Sequence, residues 1–337
     1  MKESNKTFKF KNNFKVFFDF YKLSLKTFFV SPLNILLGIV IIFFVLWIWL
    51  LYRENDPFIL SSAIGSLIIR NGLHTFYRGL NSHKETGFTK RIDYTPINVW
   101  IKPFAYILSS LTINVIVSIA LLSSTLIVFD TQMELVKHVN WPMFISGAFF
   151  LWLLSVLMSY SIYTFFKRSS MALILALLLY ILAYYLLGCA YPYNIIAKYD
   201  WLNSFLYAFP QRYMMNVMQA GWVGATNLVF TDIENAGEFA VDWKLTQNLW
   251  VPYLATFGFI LLFSILLIMV IIIKVEKHKK DKFGVSLILR LSTKYINDLK
   301  RCASLEELKT LRKKHLEEIG YRSDTKDWSK VTFKKKK

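Results

Sequence analysis

The sequence predicts an all-α polytopic membrane protein with six transmembrane helices. Hydrophobic residues make up 55% of its 337 residues and aromatic residues 17%, which is more than an ordinary soluble domain contains. Several stretches of about twenty residues carry almost no charge, and that length crosses a hydrocarbon core of about 30 Å. The formal net charge of +18 is concentrated outside these stretches. This segregation favours a membrane explanation of the charge, so we expect no nucleic-acid partner.

The chain opens on a cytoplasmic N-terminus, residues 1–31, that contains an amphipathic helix. Phenylalanine, tyrosine and leucine side chains recur at helical spacing on one face. The opposite face carries polar residues at steps of four, three and four, namely Lys15, Asp19, Lys22 and Lys26. A helix of this kind lies in the membrane interface with its lysines toward anionic headgroups. We therefore expect membrane lipids to be partners of this segment.

Six apolar runs are each long enough to span a membrane. They cover residues 33–52, 57–77, 101–129, 143–166, 170–189 and 250–274. Together they form the predicted transmembrane domain, residues 32–275. We expect no cleavable signal peptide, because the first run is long enough to span and lacks a small-residue cleavage pattern after it.

The lysine and arginine distribution predicts that both termini are cytoplasmic. With this topology, 34 of the 40 basic residues lie in cytoplasmic segments and five lie outside. Such an excess on one side follows the positive-inside rule, so we predict a multi-pass protein of the cell (plasma) membrane. The remaining basic residue, Arg70, lies in the cytoplasmic half of the second span. We interpret it as a snorkelling or helix-pairing residue rather than part of a transport path.

Two segments outside the spans carry structural signals. Residues 190–249 begin with a region rich in Tyr, Trp, Phe and Pro, which predicts short helices packed in the outer interface as a re-entrant or loop segment. The polar second half of that segment predicts an exposed loop or small hairpin. The basic cytoplasmic tail, residues 276–337, predicts one short helix that Ser304 caps, with Glu307 as reciprocal partner, and that Gly320 ends.

The sequence offers no catalytic or metal-binding constellation. The two cysteines, Cys189 and Cys302, lie far apart in the chain, and the five histidines form no pair at metal-ligand spacing. A phosphate-binding GxxxxGK[ST] loop is also absent from the sequence. We therefore predict that the chain is not an enzyme and binds no cofactor, including ATP, by itself.

A charged segment, residues 80–100, separates the second and third predicted spans. Its sequence from His83 is "HKETGFTKRIDYTPINVW", which combines charges, a glycine turn and a proline that disfavours helix at the preceding residue. A short rigid helix here could transmit the movement of a partner to both spans. Charges on its exposed face would give that docking its specificity. The plainer alternative is a solvated positive-inside loop without a partner.

This segment resembles the cytoplasmic coupling loop of permease subunits of ATP-binding-cassette (ABC) transporters, of the type-2 exporter class. In that family an acidic residue, a glycine, a basic residue and then Thr-Pro lead into the third helix. The corresponding coupling residues here are Glu85, Thr86, Gly87, Arg91, Thr95 and Pro96. The arrangement of spans over roughly residues 10–275 is also similar, whereas the tail beyond residue 275 departs from the family pattern.

The resemblance implies a permease that forms a dimer with itself or with a sister chain. A separate ABC ATPase subunit would bind ATP, and the pair would export a hydrophobic or amphipathic substrate along a path lined by the first, second and fifth spans. Two alternatives remain open from the residues alone. One is a membrane-embedded lipid-modifying enzyme that uses His74, His83 and Glu85. The other is a polytopic membrane protein without an ATPase partner, such as an assembly protein that uses its basic tail.

Overall fold

A computed structural model describes residues 2–53, 56–93, 97–98, 100–166, 168–231, 239–299 and 304–318. The described chain is mostly helical and divides into two compact units, Met1–Ile268 and Met269–Lys337. Five of its helices are long and apolar enough to cross a membrane: Pro32–Tyr52, Ile101–Val128, Trp141–Phe165, Ser169–Leu186 and Trp250–Ile273. They match five of the six predicted spans closely. The prediction of an all-α polytopic chain is confirmed at this level, and the sixth span and the topology stay predictions.

The first unit begins with seven α-helices. These are α1 Lys2–Val30, α2 Pro32–Ile35, α3 Ile41–Tyr52, α4 Ile59–Ile69, α5 Phe76–Glu85, α6 Phe88–Asp93 and α7 Ile101–Val128. Two π-helical turns interrupt this series: the first π turn, Leu36–Val40, joins α2 to α3, and the second π turn, Arg70–Thr75, joins α4 to α5.

The rest of the chain alternates long and short helices. They are α8 Asp130–Leu135, with a 3₁₀ turn at Val136–His138, then α9 Trp141–Phe165, α10 Ser169–Leu186, α11 Tyr193–Ala197, α12 Asp200–Leu206, α13 Pro210–Trp222, α14 Trp250–Leu299 and α15 Leu305–Glu318. Between α13 and α14, the strands β1 Val229–Phe230 and β2 Val241–Asp242 pair antiparallel in a small hairpin.

The second predicted span is the most enclosed part of the first unit. It comprises α4, the second π turn and the start of α5, and every residue from Asp56 to His74 is buried. It packs against α3, α7, α9, α10 and α13. This span is not among the five apolar helices, because Arg70, Asn71 and His74 lower its hydropathy. Polar side chains in a membrane span require protein rather than lipid around them, so the enclosure is consistent with the predicted second span.

The N-terminal helix α1 packs along α7. Phe20 and Phe28 are buried, and the hydroxyl of Ser109 donates a 2.6 Å hydrogen bond to that of Ser24. Phe14 and Phe18 remain exposed. The apolar face of α1 is therefore divided between a strip on α7 and an exposed strip.

The four polar residues predicted to face lipid headgroups are exposed. They are Lys15, Asp19, Lys22 and Lys26. Their exposure leaves the interfacial role of α1 a prediction.

The predicted outer segment, residues 190–249, contains a helix that is enclosed by protein. All of α13, apart from its first residue, is buried, and α13 packs closely on α9 and α4. The short helices predicted for this segment are present as α11, α12 and α13, whereas the enclosure of α13 by protein was not predicted. Its polar residues Gln211, Arg212, Asn216 and Gln219 have no exposed surface, so the helix sits where protein groups surround them.

Arg212 connects α13 to other parts of residues 190–249. Its guanidinium donates to the Asn203 carbonyl at 2.6 Å, to the Asn203 side-chain oxygen, and to the Trp243 carbonyl at 3.2 Å. It also lies over the Tyr207 ring, 4.1 Å from the centroid. Arg212 thereby ties α13 to α12 and to the residue after β2.

The second unit contains the later part of α14 and the helix α15. The hydroxyl of Ser304 accepts a 3.3 Å hydrogen bond from the backbone N–H of Glu307, which confirms Ser304 as the N-cap. The predicted end of this helix at Gly320 lies outside the described residues. Helix α14 continues to Leu299, well beyond the end of the predicted sixth span at residue 274.

Candidate functional site

The charged segment after the second predicted span forms a helix–turn–helix, residues 76–93. Helix α5 ends at Glu85, Thr86 and Gly87 form the turn, and α6 follows. Gly87 has a φ of +72°, in the left-handed region that favours glycine. The backbone N–H of Arg91 donates to the Gly87 carbonyl at 3.1 Å. The structure thus brings four of the six predicted coupling residues into one element, while Thr95 and Pro96 lie outside the described residues.

One side of α6 is anchored to α1 and α7. Phe88 and Ile92 pack against a buried cluster that includes Phe20 and Tyr106. The ammonium group of Lys102, on α7, donates a 3.0 Å hydrogen bond to the hydroxyl of Thr89. Arg91 and Thr86 are exposed. The turn and α6 therefore present polar groups to solvent while their other side is held against α1 and α7.

Glu85 has partners within the chain. Its carboxylate accepts a 2.8 Å hydrogen bond from the Asn81 amide and a 3.1 Å hydrogen bond from the Ser169 hydroxyl at the start of α10. The Tyr77 hydroxyl also donates to the Ser169 carbonyl at 3.2 Å. Glu85 therefore ties α5 to α10. Sequence reasoning missed Ser169 because 84 residues separate it from Glu85.

His83 holds the turn by packing. Its ring stacks on Tyr106 with centroids 5.2 Å apart and planes inclined by 4°, and it also contacts Phe88. Burial lowers the pKa of His83, and the nearby Lys102 ammonium lowers it further, so the imidazole is neutral at neutral pH.

Of the three residues considered for enzymatic chemistry, His74 lies apart from His83 and Glu85. His74 lies in the second π turn, roughly 14 Å along the helix from His83 by the helical rise, and the Glu85 carboxylate bonds Asn81 and Ser169. Among the residues that the structure describes, no group of three or more His, Cys, Asp or Glu is placed to hold a metal ion.

A polar cavity of about 60 Å³ lies behind the helix–turn–helix. Side chains from α1, α2, the second π turn, α5 and α7 line it, and most of them are polar: Ser24, Thr27, Asn34, Asn71, Thr75, His83, Ser109 and Asn114. The two π turns meet beside it, where a Cβ on Gly38 would lie 3.3 Å from the Asn71 side-chain oxygen. Turns of this type often occur at functional sites. Sequence reasoning missed the cavity because these residues come from separate helices.

Neither the protein-family models nor the curated proteins contain a match to this chain. Its function is therefore inferred from the helix–turn–helix and its surroundings.

Replacing Gly87 with alanine is expected to destabilise the turn by about 1–2 kcal/mol, because an L side chain is strained at positive φ. A Cβ at this position would meet no neighbouring atom, so the effect is backbone strain alone. Thermal unfolding of the purified protein in detergent measures the change.

Gly79→Ala is the matched control for Gly87→Ala. Gly79 lies within α5, and a Cβ there also meets no neighbouring atom. Alanine should stabilise that helix by about 0.5–1 kcal/mol. Equal unfolding temperatures for the two variants would contradict the conformation assigned to Gly87.

Proposed function

We propose that this chain is the transmembrane permease subunit of an ABC transporter and that a separate ATPase docks on its helix–turn–helix. The observation that carries the proposal is the joint anchoring of this element. It continues from the second predicted span, packs on α1 and α7 through Phe88 and Ile92, and contacts α10 through Glu85. A displacement of α6 would therefore reach several membrane helices at once, as mechanical coupling requires.

The exposed side of the element suits contact with a partner protein. Arg91 is exposed on a short helix whose other side is half-buried against α1 and α7, so its charge is presented in a fixed orientation. Charged groups held in this way give a docking interface its specificity. The proposed assembly contains two permease chains, identical or sister, and exports a hydrophobic or amphipathic substrate across the cell membrane with both termini cytoplasmic.

Arg91→Glu is expected to reduce the ATPase activity that co-purifies with the chain by about tenfold or more, because like charges at a docking interface cost several kcal/mol. The tagged chain is purified from its native membranes in mild detergent, and ATP hydrolysis in the eluate is measured per amount of chain. The side chain of Arg91 is exposed, so the variant should unfold at the temperature of the wild type.

Lys198→Glu is the matched control, since it makes the same charge change at an exposed cation of the predicted outer side, which a cytoplasmic ATPase does not contact. It should retain the wild-type level of co-purifying ATPase. Equal ATPase in the Arg91→Glu and wild-type eluates would overturn the docking assignment. Stoichiometric binding of nucleotide by the isolated chain would contradict the proposal that a separate subunit binds ATP.

A further inference from the structure

An apolar groove of about 470 Å³ lies between α4, α7 and α9. Aliphatic and aromatic side chains form most of its lining, among them Ile64, Ile68, Leu122, Trp141, Phe149 and Trp152. Its volume is within the range of small-molecule sites, about 300–1,000 Å³. Helices α7 and α9 are both long and apolar enough to cross a membrane, so the groove lies where hydrocarbon is the expected surrounding.

Asn114 on α7 lines both the apolar groove and the polar cavity. Its side chain is only 3% exposed, and its amide N–H donates to the Ser110 carbonyl at 2.9 Å. Its side-chain oxygen has no hydrogen-bond partner among the described residues, and neither has the buried hydroxyl of Ser118 in the groove. An unpaired buried polar atom costs about 1–3 kcal/mol. The Asn114 oxygen, at the junction with the polar cavity, therefore suits a ligand that brings a hydrogen-bond donor of its own.

The polar cavity offers complementary groups. The amide nitrogen of Asn71 and the hydroxyl of Tyr106 are also buried without a partner among the described residues. None of the residues that line the cavity is Asp, Glu, Lys or Arg, and His83 is neutral at neutral pH. A phosphate or carboxylate would be buried there without a counter-charge, which is costly. Hydroxyl or amide groups fit this lining better.

We propose that the groove and the cavity form one binding site for an uncharged single-chain amphiphile, with Asn114 at their junction. The hydrocarbon chain lies in the apolar groove, and the small hydroxyl- or amide-bearing headgroup reaches the polar cavity. An apolar helix of a second copy would cover the groove but would bring no side-chain donor to Asn114. The role of the ligand as transported molecule rests on the proposed function, whereas its binding does not.

The test is equilibrium binding of radiolabelled 1-oleoylglycerol to the purified full-length chain in detergent, without nucleotide or ATPase. Saturable binding is expected. Asn114→Leu should weaken it about tenfold, since it removes the hydrogen-bond acceptor at the junction. Ala148→Phe should abolish it, since Ala148 lines the groove and the larger ring would fill the space of the chain. Ala120→Phe, at an exposed position of α7 outside both linings, should bind as the wild type does.

Headgroup charge is tested with oleate, which has the same chain and a carboxylate in place of the glycerol ester. Oleate should bind about tenfold more weakly or worse, because its charge would lack a partner. Oleate binding as tight as that of 1-oleoylglycerol would overturn the assigned headgroup class.

Several outcomes would overturn the site itself. Non-saturable binding of 1-oleoylglycerol would do so, and so would equal binding by Ala148→Phe and Ala120→Phe. A third such outcome is that Ala148→Phe disrupts a dimer of the chain but still binds the ligand. If Ala148→Phe does not fold, binding of the ligand by Asn114→Leu becomes the test of the site. Leucine replaces a buried amide of similar size, so this variant should unfold at the wild-type temperature. Binding is measured without ATPase, so failure of the ATPase co-purification experiment would leave this result unaffected.

Discussion

Arg212→Met is expected to destabilise the protein by about 3 kcal/mol or more, because three oxygens would lose their donor in a buried site. Arg212 has no exposed surface, and its guanidinium satisfies two oxygens of Asn203 and the carbonyl of Trp243. Methionine fills most of the same volume but donates nothing. The β1–β2 hairpin should then separate from α13. Thermal unfolding and the rate of tryptic cleavage at Lys244 measure the two effects.

Two control variants distinguish this role from a general loss of charge. Arg212→Lys keeps the charge but not the planar fork of donors, so its unfolding temperature should fall between those of the methionine variant and the wild type. Lys244→Met removes an exposed ion pair with Asp200, in which the two charged atoms lie 2.5 Å apart. Exposed pairs contribute little, so that variant should unfold like the wild type. An Arg212→Met variant as stable as Lys244→Met would show that the buried network is not needed.

Gly221→Val is expected to prevent α9 and α13 from packing and to lower stability by about 3 kcal/mol or more, as severe overpacking does. A Cβ on Gly221 would lie 2.9 Å from the Phe144 backbone nitrogen and 3.2 Å from the Met143 side chain. Backbone cannot rotate away as a side chain can, so the helices must separate. The measurement is the yield of monodisperse protein and its unfolding temperature.

Gly258→Val is the matched control for this substitution. Gly258 lies in α14, and a Cβ there meets no atom within 4 Å. Valine at this position should leave both yield and unfolding temperature near the wild-type values. If both valine variants behave alike, the close approach of α9 and α13 does not hold in the folded protein.

Several features follow from the sequence because their causes are local. Five of the six predicted spans match helices that are long and apolar enough to cross a membrane, since length and lack of charge are read directly from consecutive residues. The Ser304 cap depends on a hydroxyl three residues before a backbone N–H, so it too was predictable. The turn at Gly87 follows from a glycine between two helical stretches.

Sequence alone was ambiguous where a polar residue needs a distant partner. In the sequence, the second predicted span is an apolar run that contains one arginine. The tertiary structure shows that the residues of this run are buried within the first unit. Likewise, the sequence predicts Glu85 as a docking charge, and the tertiary structure adds that its carboxylate accepts a hydrogen bond from Ser169 on α10.

What the sequence by itself determined is therefore the membrane class, the positions of five spans and the place of the charged element between helices. Only the tertiary structure decided which polar side chains meet: Glu85 with Ser169, Arg212 with Asn203, and the groups that converge near Asn114. The physical reason is that helical periodicity and hydropathy act over a few residues. The partners of a buried polar group are chosen by packing between helices that are far apart in the chain.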